Sequence, residues 1–424
     1  MTVIELGELR HGDEAEPPPR SGGRSARWPR VAALFAVALL TLAGAAPAPA
    51  RVRPVSVPAP QGAIFLLLGD RLVVADGPGN VGNGGRLVTG HRLPGGEPLW
   101  RFSLPAGDHV LGLTAVAGGL LVTSSPAGAG DPASTLLDVN SGAVRWRRAG
   151  YPVRARSGAV LLETPRADGT GTVRAVDPAT GATRWSLPMP ANGVAYRVDD
   201  RGVTQLVLVT AAGRVAVHDV GTGALLRSGR VPPAPDGVAY RFAQVVGDLL
   251  LVDGASGGVT AYGLDRLDRR WSVPVRSEAQ GFEDCAGVVC QRDQATGLRA
   301  LDPVTGRPLW TDDRLVGTVP AGGRLLTAEL AAGAELDLTV RDPTTGRVVG
   351  RLGRWRVPRV QWSGGPLLGL RRLPGDRVLV AELDVPAGRT RIRTVLPGSW
   401  DDCAAGRTVL VCLRASGGLV VWRG

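Results

Sequence analysis

Histidine and carboxylate side chains are the first candidates for catalysis in this chain. The four histidines, His11, His91, His109 and His218, are scattered along the sequence. The acidic pairs are Asp199-Asp200, Asp312-Asp313 and Asp401-Asp402. Each pair lies near a predicted turn, which favours solvated turn residues over a general acid and base. No zinc, phosphate-loop or nucleophile-elbow pattern is present, so the sequence predicts no catalytic residue and no metal ligand.

The four cysteines form two local pairs. Four residues separate Cys285 from Cys290, and eight separate Cys403 from Cys412. Four cysteines allow three connectivities, but the duplicated local spacing favours one disulfide within each pair, across a β-hairpin. The spacing is not Cys-x-x-Cys and no histidine lies nearby, which argues against a metal site. The pairing also supports export of the chain from the cytoplasm.

A turn motif repeats along the sequence and organises everything else in it. Its best copy runs from Asp302, which opens a tight turn, through Gly306, which supplies a positive φ, to Trp310 at the start of a strand. Eight copies follow one another at intervals of 39 to 46 residues. A period of this size is typical of solenoids and propellers.

Three positions of the motif recur, and they are the predicted structural residues. The recurring residues are the tryptophans Trp100, Trp146, Trp185, Trp271 and Trp310, the glycines Gly142, Gly181, Gly223, Gly306 and Gly346, and the aspartates Asp138, Asp177, Asp219, Asp302 and Asp342. Other copies carry Arg227, Gly350 and Ile392 at the tryptophan position. The copy ending at Trp271 is the poorest, with Gly263 and Leu267 in place of aspartate and glycine.

Each repeat holds about four short runs rich in leucine and β-branched residues, bounded by glycine, aspartate or proline. No long window shows a helical period. Four short antiparallel strands in some forty residues are typical of one propeller blade. The sequence therefore predicts an all-β propeller of four-stranded antiparallel blades.

The Asp-x-x-Thr-Gly-x-x-x-Trp repeat resembles the tryptophan-docking motif of the PQQ-like β-propellers, with the BamB-like branch as the nearer match. This superfamily includes quinoprotein dehydrogenases and non-enzymatic BamB-like envelope scaffolds. The resemblance covers about residues 63–424. It implies that each motif tryptophan packs between adjacent blades and that the aspartate and glycine turn braces it. It also implies that Arg227, Gly350 and Ile392 need other docking contacts.

Eight motif turns predict eight blades, with seven as the alternative. The segment from Trp400 to Trp422 adds three strands without a fourth, which we interpret as ring closure. Ahead of the propeller we expect a disordered cytoplasmic tail over residues 1–28, a transmembrane signal anchor over 29–47 and a Pro-rich linker over 48–62. The alternative for the apolar run is a cleaved signal peptide. Both interpretations export the propeller, at residues 63–424.

Two functions remain open for the exported domain. One is a non-enzymatic scaffold in the cell envelope, binding an envelope protein or wall polymer through propeller loops. The other is a quinone-dependent dehydrogenase with Ca²⁺, but the Cys-Cys dipeptide common in such enzymes is missing. We therefore expect a monomeric protein that is not an enzyme, holds no cofactor and binds no nucleic acid. The formal charge of +11 falls wholly on residues 51–424, because five arginines balance five acids before them.

Overall fold

The structure is a computed structural model that describes residues 54–423, except 78–85, 117, 127–129, 155–157, 192, 200–201, 236, 238, 242, 254–257, 275–278, 294–296, 332–334 and 359–365. The described chain is built from 35 antiparallel strands and contains no helix. The predicted tail and anchor, residues 1–47, lie outside the described residues. Among those described, no helix is long and apolar enough to cross a membrane.

The strands assemble into blades in the order of the chain. An initial strand and the first three blades comprise β1 (Val55–Val57); β2 (Ile64–Leu68), β3 (Arg71–Ala75), β4 (Leu87–Arg92), β5 (Glu97–Ser103); β6 (Asp108–Val116), β7 (Gly119–Pro126), β8 (Ala133–Leu137), β9 (Val144–Ala149); β10 (Tyr151–Arg154), β11 (Val160–Pro165), β12 (Gly171–Val176) and β13 (Thr183–Met189). Blades 4 to 6 comprise β14 (Val194–Asp199), β15 (Gly202–Val209), β16 (Arg214–Asp219), β17 (Leu225–Arg230); β18 (Ala243–Val246), β19 (Leu249–Asp253), β20 (Gly258–Gly263), β21 (Arg269–Pro274); β22 (Ala279–Asp284), β23 (Val289–Asp293), β24 (Gly297–Leu301) and β25 (Pro308–Asp312). Blades 7 to 9 comprise β26 (Leu315–Ala321), β27 (Arg324–Leu330), β28 (Leu336–Arg341), β29 (Val348–Trp355); β30 (Leu368–Leu373), β31 (Arg377–Asp384), β32 (Arg389–Pro397); β33 (Trp400–Ala405), β34 (Val409–Arg414) and β35 (Leu419–Arg423).

The propeller has nine blades, so the predicted counts of eight and seven are both wrong. The error has a simple cause. The motif turn joins the third and fourth strands of a blade. A blade whose fourth strand does not directly follow its third strand in the sequence has no such turn, so a count of turns omits it. In the ninth blade, β33 to β35 pair with β1, whose Val55 lies opposite Val421 and whose Val57 lies opposite Leu419. The segment interpreted as ring closure is thus itself a blade.

This arrangement also moves the start of the propeller. Val55–Val57 falls within the segment expected as a linker, yet it forms the last strand of the ninth blade. Pairing of the two ends of a chain within one blade closes the ring and completes its last sheet.

Blade 8 departs from the four-stranded pattern. Its described sheet has three strands, β30 to β32. At the β30 edge, Arg356 forms an isolated bridge with Leu370 through two backbone hydrogen bonds of 2.8 Å. The first strand of this blade is therefore reduced to one pairing residue in the described part of the chain.

Apolar clusters lie between the blades and close the ring. The described residues form nine such clusters, one between each blade and the next. The cluster between blades 9 and 1 joins Val411 and Leu413 to Phe65 and Leu72. First strands contact one another, as β14 contacts β18 and β18 contacts β22. They therefore surround the centre of the ring, and the fourth strands form its rim.

Both disulfides are buried in these clusters. Cys285 and Cys290 are bonded across the β22–β23 hairpin, in the cluster that includes Leu315 of blade 7. Cys403 and Cys412 lie directly opposite each other on β33 and β34, in the cluster shared with blade 8. Each bridge therefore stiffens a hairpin against which a neighbouring blade packs.

Removing the second bridge is expected to destabilise the ninth blade. In the chain-entropy account, the Cys403→Ala/Cys412→Ala variant should lose about 2–3 kcal/mol of unfolding free energy. Urea unfolding checks this value. A non-reduced tryptic digest tests the pairing, because one peptide, residues 277–292, contains both Cys285 and Cys290. A cross-link from that peptide to either Cys403 or Cys412 would contradict the local pairing.

Candidate functional site

The motif turn is built by one aspartate. Oδ1 of Asp302 accepts hydrogen bonds from the amides of Val304 at 2.9 Å and Thr305 at 2.7 Å, and from the Thr305 hydroxyl at 3.0 Å. The Gly306 amide donates to the Asp302 carbonyl at 2.8 Å. Gly306 has φ of 68°, which glycine adopts without steric cost. The aspartates of the other predicted turns accept equivalent bonds, at Asp138, Asp177, Asp219 and Asp342.

Each motif tryptophan reaches the motif turn of the following blade. The Trp271 indole N–H donates to the Pro303 carbonyl at 2.9 Å, and the ring lies flush against Gly306, where an added Cβ would come within 2.6 Å of it. The equivalent indole bonds join Trp100 to Val139, Trp146 to Pro178, Trp185 to Val220 and Trp310 to Pro343. The rings cover Gly142, Gly181, Gly223 and Gly346 in the same order.

One docking contact has no counterpart in the sequence repeat. Val55 and Val57, from β1, lie against Gly96 in the motif turn of blade 1, where a Cβ would approach them to 2.7 and 3.0 Å. They fill the tryptophan position of the ninth blade. The sequence repeat does not mark them, because β1 and β35 are not consecutive in the chain and no motif turn joins them.

Arg227 makes the contact of a tryptophan by another route. Its Nη1 donates to the Leu264 carbonyl at 2.9 Å, and Leu264 is the equivalent of Pro303 in its own turn. Leu267 stands at the glycine position with φ of 57°, although it carries a side chain. The two departures from the motif therefore face each other at the blade 4–5 interface.

The remaining two departures differ from each other. At Gly350 the backbones pack directly, with its Cα 3.3 Å from a Cβ built on Gly388. Ile392 is 65% exposed, because the ninth blade offers it no continuous motif turn. It makes no buried docking contact among the described residues.

An open groove of about 580 Å³ lies beside the Arg227 interface. It extends over the first-to-second-strand hairpins of blades 5 and 6 and the motif turns of the same blades. Its charged lining residues carry both signs and are Arg197, Arg227, Arg270, Asp248, Asp265 and Asp284. Val304, at its rim, is 69% exposed. We call this site the blade 5 groove.

The charges of the blade 5 groove are partly paired. Arg197 forms an ion pair with Asp248, and Arg270 lies 3.5 Å from Asp265. Asp284 accepts a hydrogen bond from the Gly287 amide at 3.0 Å and has no ion-pair partner among the described residues. The lining thus offers both signs of charge over an apolar floor, which suits a mixed polar and apolar surface better than a single small ion.

The histidines and acidic pairs do not assemble into a catalytic group in the described chain. His91 and His218 each lie one residue before the end of the strand that leads into a motif turn, and they contact the carbonyls of Gly96 at 3.2 Å and Gly223 at 3.0 Å. Burial lowers the pKa of His91. Asp312 binds Arg341 at 2.8 Å. Within the described ranges, no group of three or more histidine, cysteine or acidic side chains is placed to hold a metal.

The turn aspartates make stability depend on acid. The Arg145 guanidinium, with the amides of Ser141 and Asn140, lowers the pKa of Asp138 to about 2. Arg184 is the main cause of the same shift, to about 2, in the pKa of Asp177. Since these folded-state pKa values lie below the unfolded value of about 4, the stabilisation is complete above about pH 4. It should be lost as the pH falls from about 4 to about 2.

Thermal unfolding of the wild type and Asp138→Asn between about pH 7 and pH 2 tests this dependence. The variant should melt at a lower temperature at neutral pH. The two curves should approach each other toward the acid end, where Asp138 becomes protonated in the folded as well as in the unfolded wild type. A gap that persists unchanged in acid would contradict an ionic origin.

Because Arg227 and Leu267 face each other, two substitutions are predicted to be coupled: the effect of Arg227→Trp on the free energy of unfolding depends on the residue at position 267. Arg227→Trp alone should destabilise the protein by about 1–3 kcal/mol, because the indole would overlap the Leu267 side chain. Adding Leu267→Gly clears that space and permits the stacking seen at Trp271. A double-mutant cycle should give a favourable coupling of about 1–3 kcal/mol between the two changes. Additive losses would show that this interface cannot accept the motif geometry.

Comparisons with known proteins give one partial family match and several distant structural similarities. Residues 84–266, less than half of the chain, match the family model described as outer membrane protein assembly factor BamB. No curated protein matches the sequence. Among solved structures, BamB from Moraxella catarrhalis is 17% identical, with 88% of this chain and 100% of that chain covered and a TM-score of 0.45. The computationally designed Ika8 protein is 14% identical, with 75% and 97% covered and a TM-score of 0.47.

The repeat, the strand order and the family match describe the same molecule. The matched residues run from blade 1 to blade 5. The motif positions of blades 1 to 4, which fall in that range, each bond to the next turn through an indole or, at Arg227, a guanidinium group. The chain is a nine-bladed β-propeller, with similarity to the BamB family over residues 84–266.

Proposed function

We propose that this propeller is a non-enzymatic scaffold that binds a partner protein through the blade 5 groove. The observation that carries the proposal is the clustering of motif departures. The motif residues are replaced at one interface by Arg227, Gly263 and Leu267. The first two of these line the same open groove, and Leu267 lies next to it in the same turn. By contrast, the repeats with Gly350 and Ile392 at the tryptophan position keep the aspartate and the glycine of their own turns.

The groove has the composition of a protein contact. It combines three arginines and three aspartates with apolar side chains such as Leu264, Val288 and Val304. Interfaces between proteins join an apolar centre to a polar rim in this way. The family match over residues 84–266 supports the same class of function, since its description is that of an assembly factor.

The proposed location rests on the sequence ahead of the propeller. We place residues 1–28 in the cytoplasm, residues 29–47 in the membrane as a signal anchor, and the propeller outside the cell. Arginines before an apolar run favour a cytoplasmic N-terminus. Protease added to intact spheroplasts should degrade or release the propeller and spare the tail. Protection of residues 63–424 would overturn this orientation.

Site-specific photo-crosslinking in the native cell tests the groove. A photoreactive residue at Val304 should give an adduct with one defined protein. The same residue at Ile392, which is similarly exposed but lies in blade 8, is the matched control and should not give it. The adduct should disappear in an Asp284→Arg background. Identical adducts at both positions would contradict a site in the groove.

The rival function, a quinone-dependent dehydrogenase, is tested separately. Purified protein is mixed with pyrroloquinoline quinone and Ca²⁺, and quinone binding and dye-linked alcohol oxidation are measured. The scaffold proposal expects neither. Stoichiometric quinone uptake with turnover would overturn it.

A further inference from the structure

A second groove lies between blades 3 and 4, away from the motif turns. Its volume is about 810 Å³. It lies at the end of the blades where the second strand turns into the third, because Gly171 begins β12 and Arg214 begins β16. Both of these third strands lead to a motif aspartate at their opposite end. Its floor is apolar and includes Met189, Leu208 and Val215, all at least nine-tenths buried.

Three arginines surround this floor and no carboxylate lines it, so we call it the basic groove. They are Arg166 in the β11–β12 hairpin, Arg214 on β16 and Arg230 on β17. Asp168, in the same hairpin as Arg166, accepts hydrogen bonds from the Thr170 hydroxyl at 2.6 Å and amide at 2.9 Å; these bonds, with a smaller contribution from the charge of Arg166, lower the pKa of Asp168. Among the described residues, none of the three arginines forms an ion pair.

The arrangement of two of these arginines is unfavourable by itself. Arg214 and Arg230 lie directly opposite each other on β16 and β17. Like charges at directly opposed positions of neighbouring strands repel and destabilise the sheet. A pair of opposed guanidinium groups at the mouth of an apolar groove is complementary to an anionic occupant.

The backbone beside the groove indicates the form of that occupant. Ser228, Gly229 and Arg230 of β17 line the groove. Within the described sheets β17 pairs only with β16, so its other edge is unpaired at the rim of the propeller. An extended peptide can pair with such an edge, and it then projects alternate side chains to the same side. Three guanidinium groups from three elements suit several carboxylates along a peptide better than one anionic headgroup.

We propose that the basic groove binds an extended acidic segment of a partner protein, with its apolar side chains on Met189, Leu208 and Val215 and its carboxylates on Arg166, Arg214 and Arg230. This site is independent of the blade 5 groove, which lies at the other end of the blades. A peptide in which glutamate alternates with leucine reproduces the required chemistry. The same peptide with lysine in place of glutamate is its matched control.

The single methionine of the propeller is a direct reporter of binding. Met1 is the only other methionine in the chain, so methyl labelling gives one signal from the groove. The full-length protein is titrated with a short glutamate and leucine peptide while the Met189 methyl resonance is followed. We expect saturable movement of that resonance, and none with the lysine peptide. Arg214→Gln and Arg230→Gln should each weaken binding about tenfold.

Arg391→Gln is the control substitution, because Arg391 is an exposed strand arginine of blade 8 with no ion pair in the described structure. It should leave the affinity unchanged. Equal effects of Arg391→Gln and Arg214→Gln would reduce the result to net charge and overturn the site. A Met189 resonance that stays still, or that moves with dodecyl phosphate but not with the peptide, would also overturn it.

Discussion

Replacement of Trp271 by alanine is expected to cost about 3–5 kcal/mol of unfolding free energy, the usual loss for a large buried aromatic. The side chain is 6% exposed and belongs to the cluster that joins blades 5 and 6. Its removal would also leave the Pro303 carbonyl without the indole donor and uncover Gly306. Equilibrium urea unfolding of the purified protein measures the loss.

Two controls separate docking from general damage. Trp271→Phe keeps most of the ring contact and loses only the indole hydrogen bond, so a loss of about 1–2 kcal/mol is expected. Ile392→Ala changes the same repeat position in blade 8, where the side chain is 65% exposed. It should alter stability by less than about 0.5 kcal/mol. Similar losses at Trp271 and Ile392 would show that the tryptophan position carries no particular docking role.

The blade architecture could be predicted because its signals are local. One short stretch of sequence specifies both a turn and the start of the next strand. It contains an aspartate that accepts hydrogen bonds from two backbone amides, a glycine with positive φ, and a tryptophan four residues after the glycine. Asp302, Gly306 and Trp310 show this in one copy. A sequence that repeats this unit at the spacing of propeller blades is therefore enough to predict the fold class.

The ninth blade could not be counted from the sequence because its closure is not local. β1 and β35 are joined by hydrogen bonds but lie more than three hundred residues apart. No short-range signal in Val55–Val57 identifies its partner strand. The reduced first strand of blade 8 was hidden for a related reason, since a single bridge at Arg356 leaves no run of alternating residues to recognise.

The two grooves could not be predicted from the sequence either, and the reason differs between them. The departures at Arg227 and Leu267 were visible, but only the folded ring shows that they face each other. The arginines of the basic groove were lost among many others, because every basic residue in the chain other than histidine is arginine. Their opposition on β16 and β17 depends on strand register, which the repeat does not specify.

Replacement of Gly306 by alanine is the second change with a large expected effect. The residue has φ of 68°, and a Cβ there would lie 2.6 Å from the Trp271 ring. The left-handed backbone alone costs a residue with a Cβ about 1–2 kcal/mol. Overlap with a ring held by the Pro303 carbonyl adds about 1–3 kcal/mol. The variant should therefore lose about 2–5 kcal/mol in urea unfolding.

Gly323→Ala isolates the part of this loss that belongs to docking. Gly323 has φ of 71°, close to that of Gly306, but an added Cβ meets nothing within 4 Å. It should cost only the backbone term of about 1–2 kcal/mol. In a Trp271→Ala background the ring is gone, so Gly306→Ala should then cost no more than Gly323→Ala. If Gly306→Ala still costs more unfolding free energy than Gly323→Ala in the Trp271→Ala background, contact with the tryptophan ring is not the reason that the motif requires glycine.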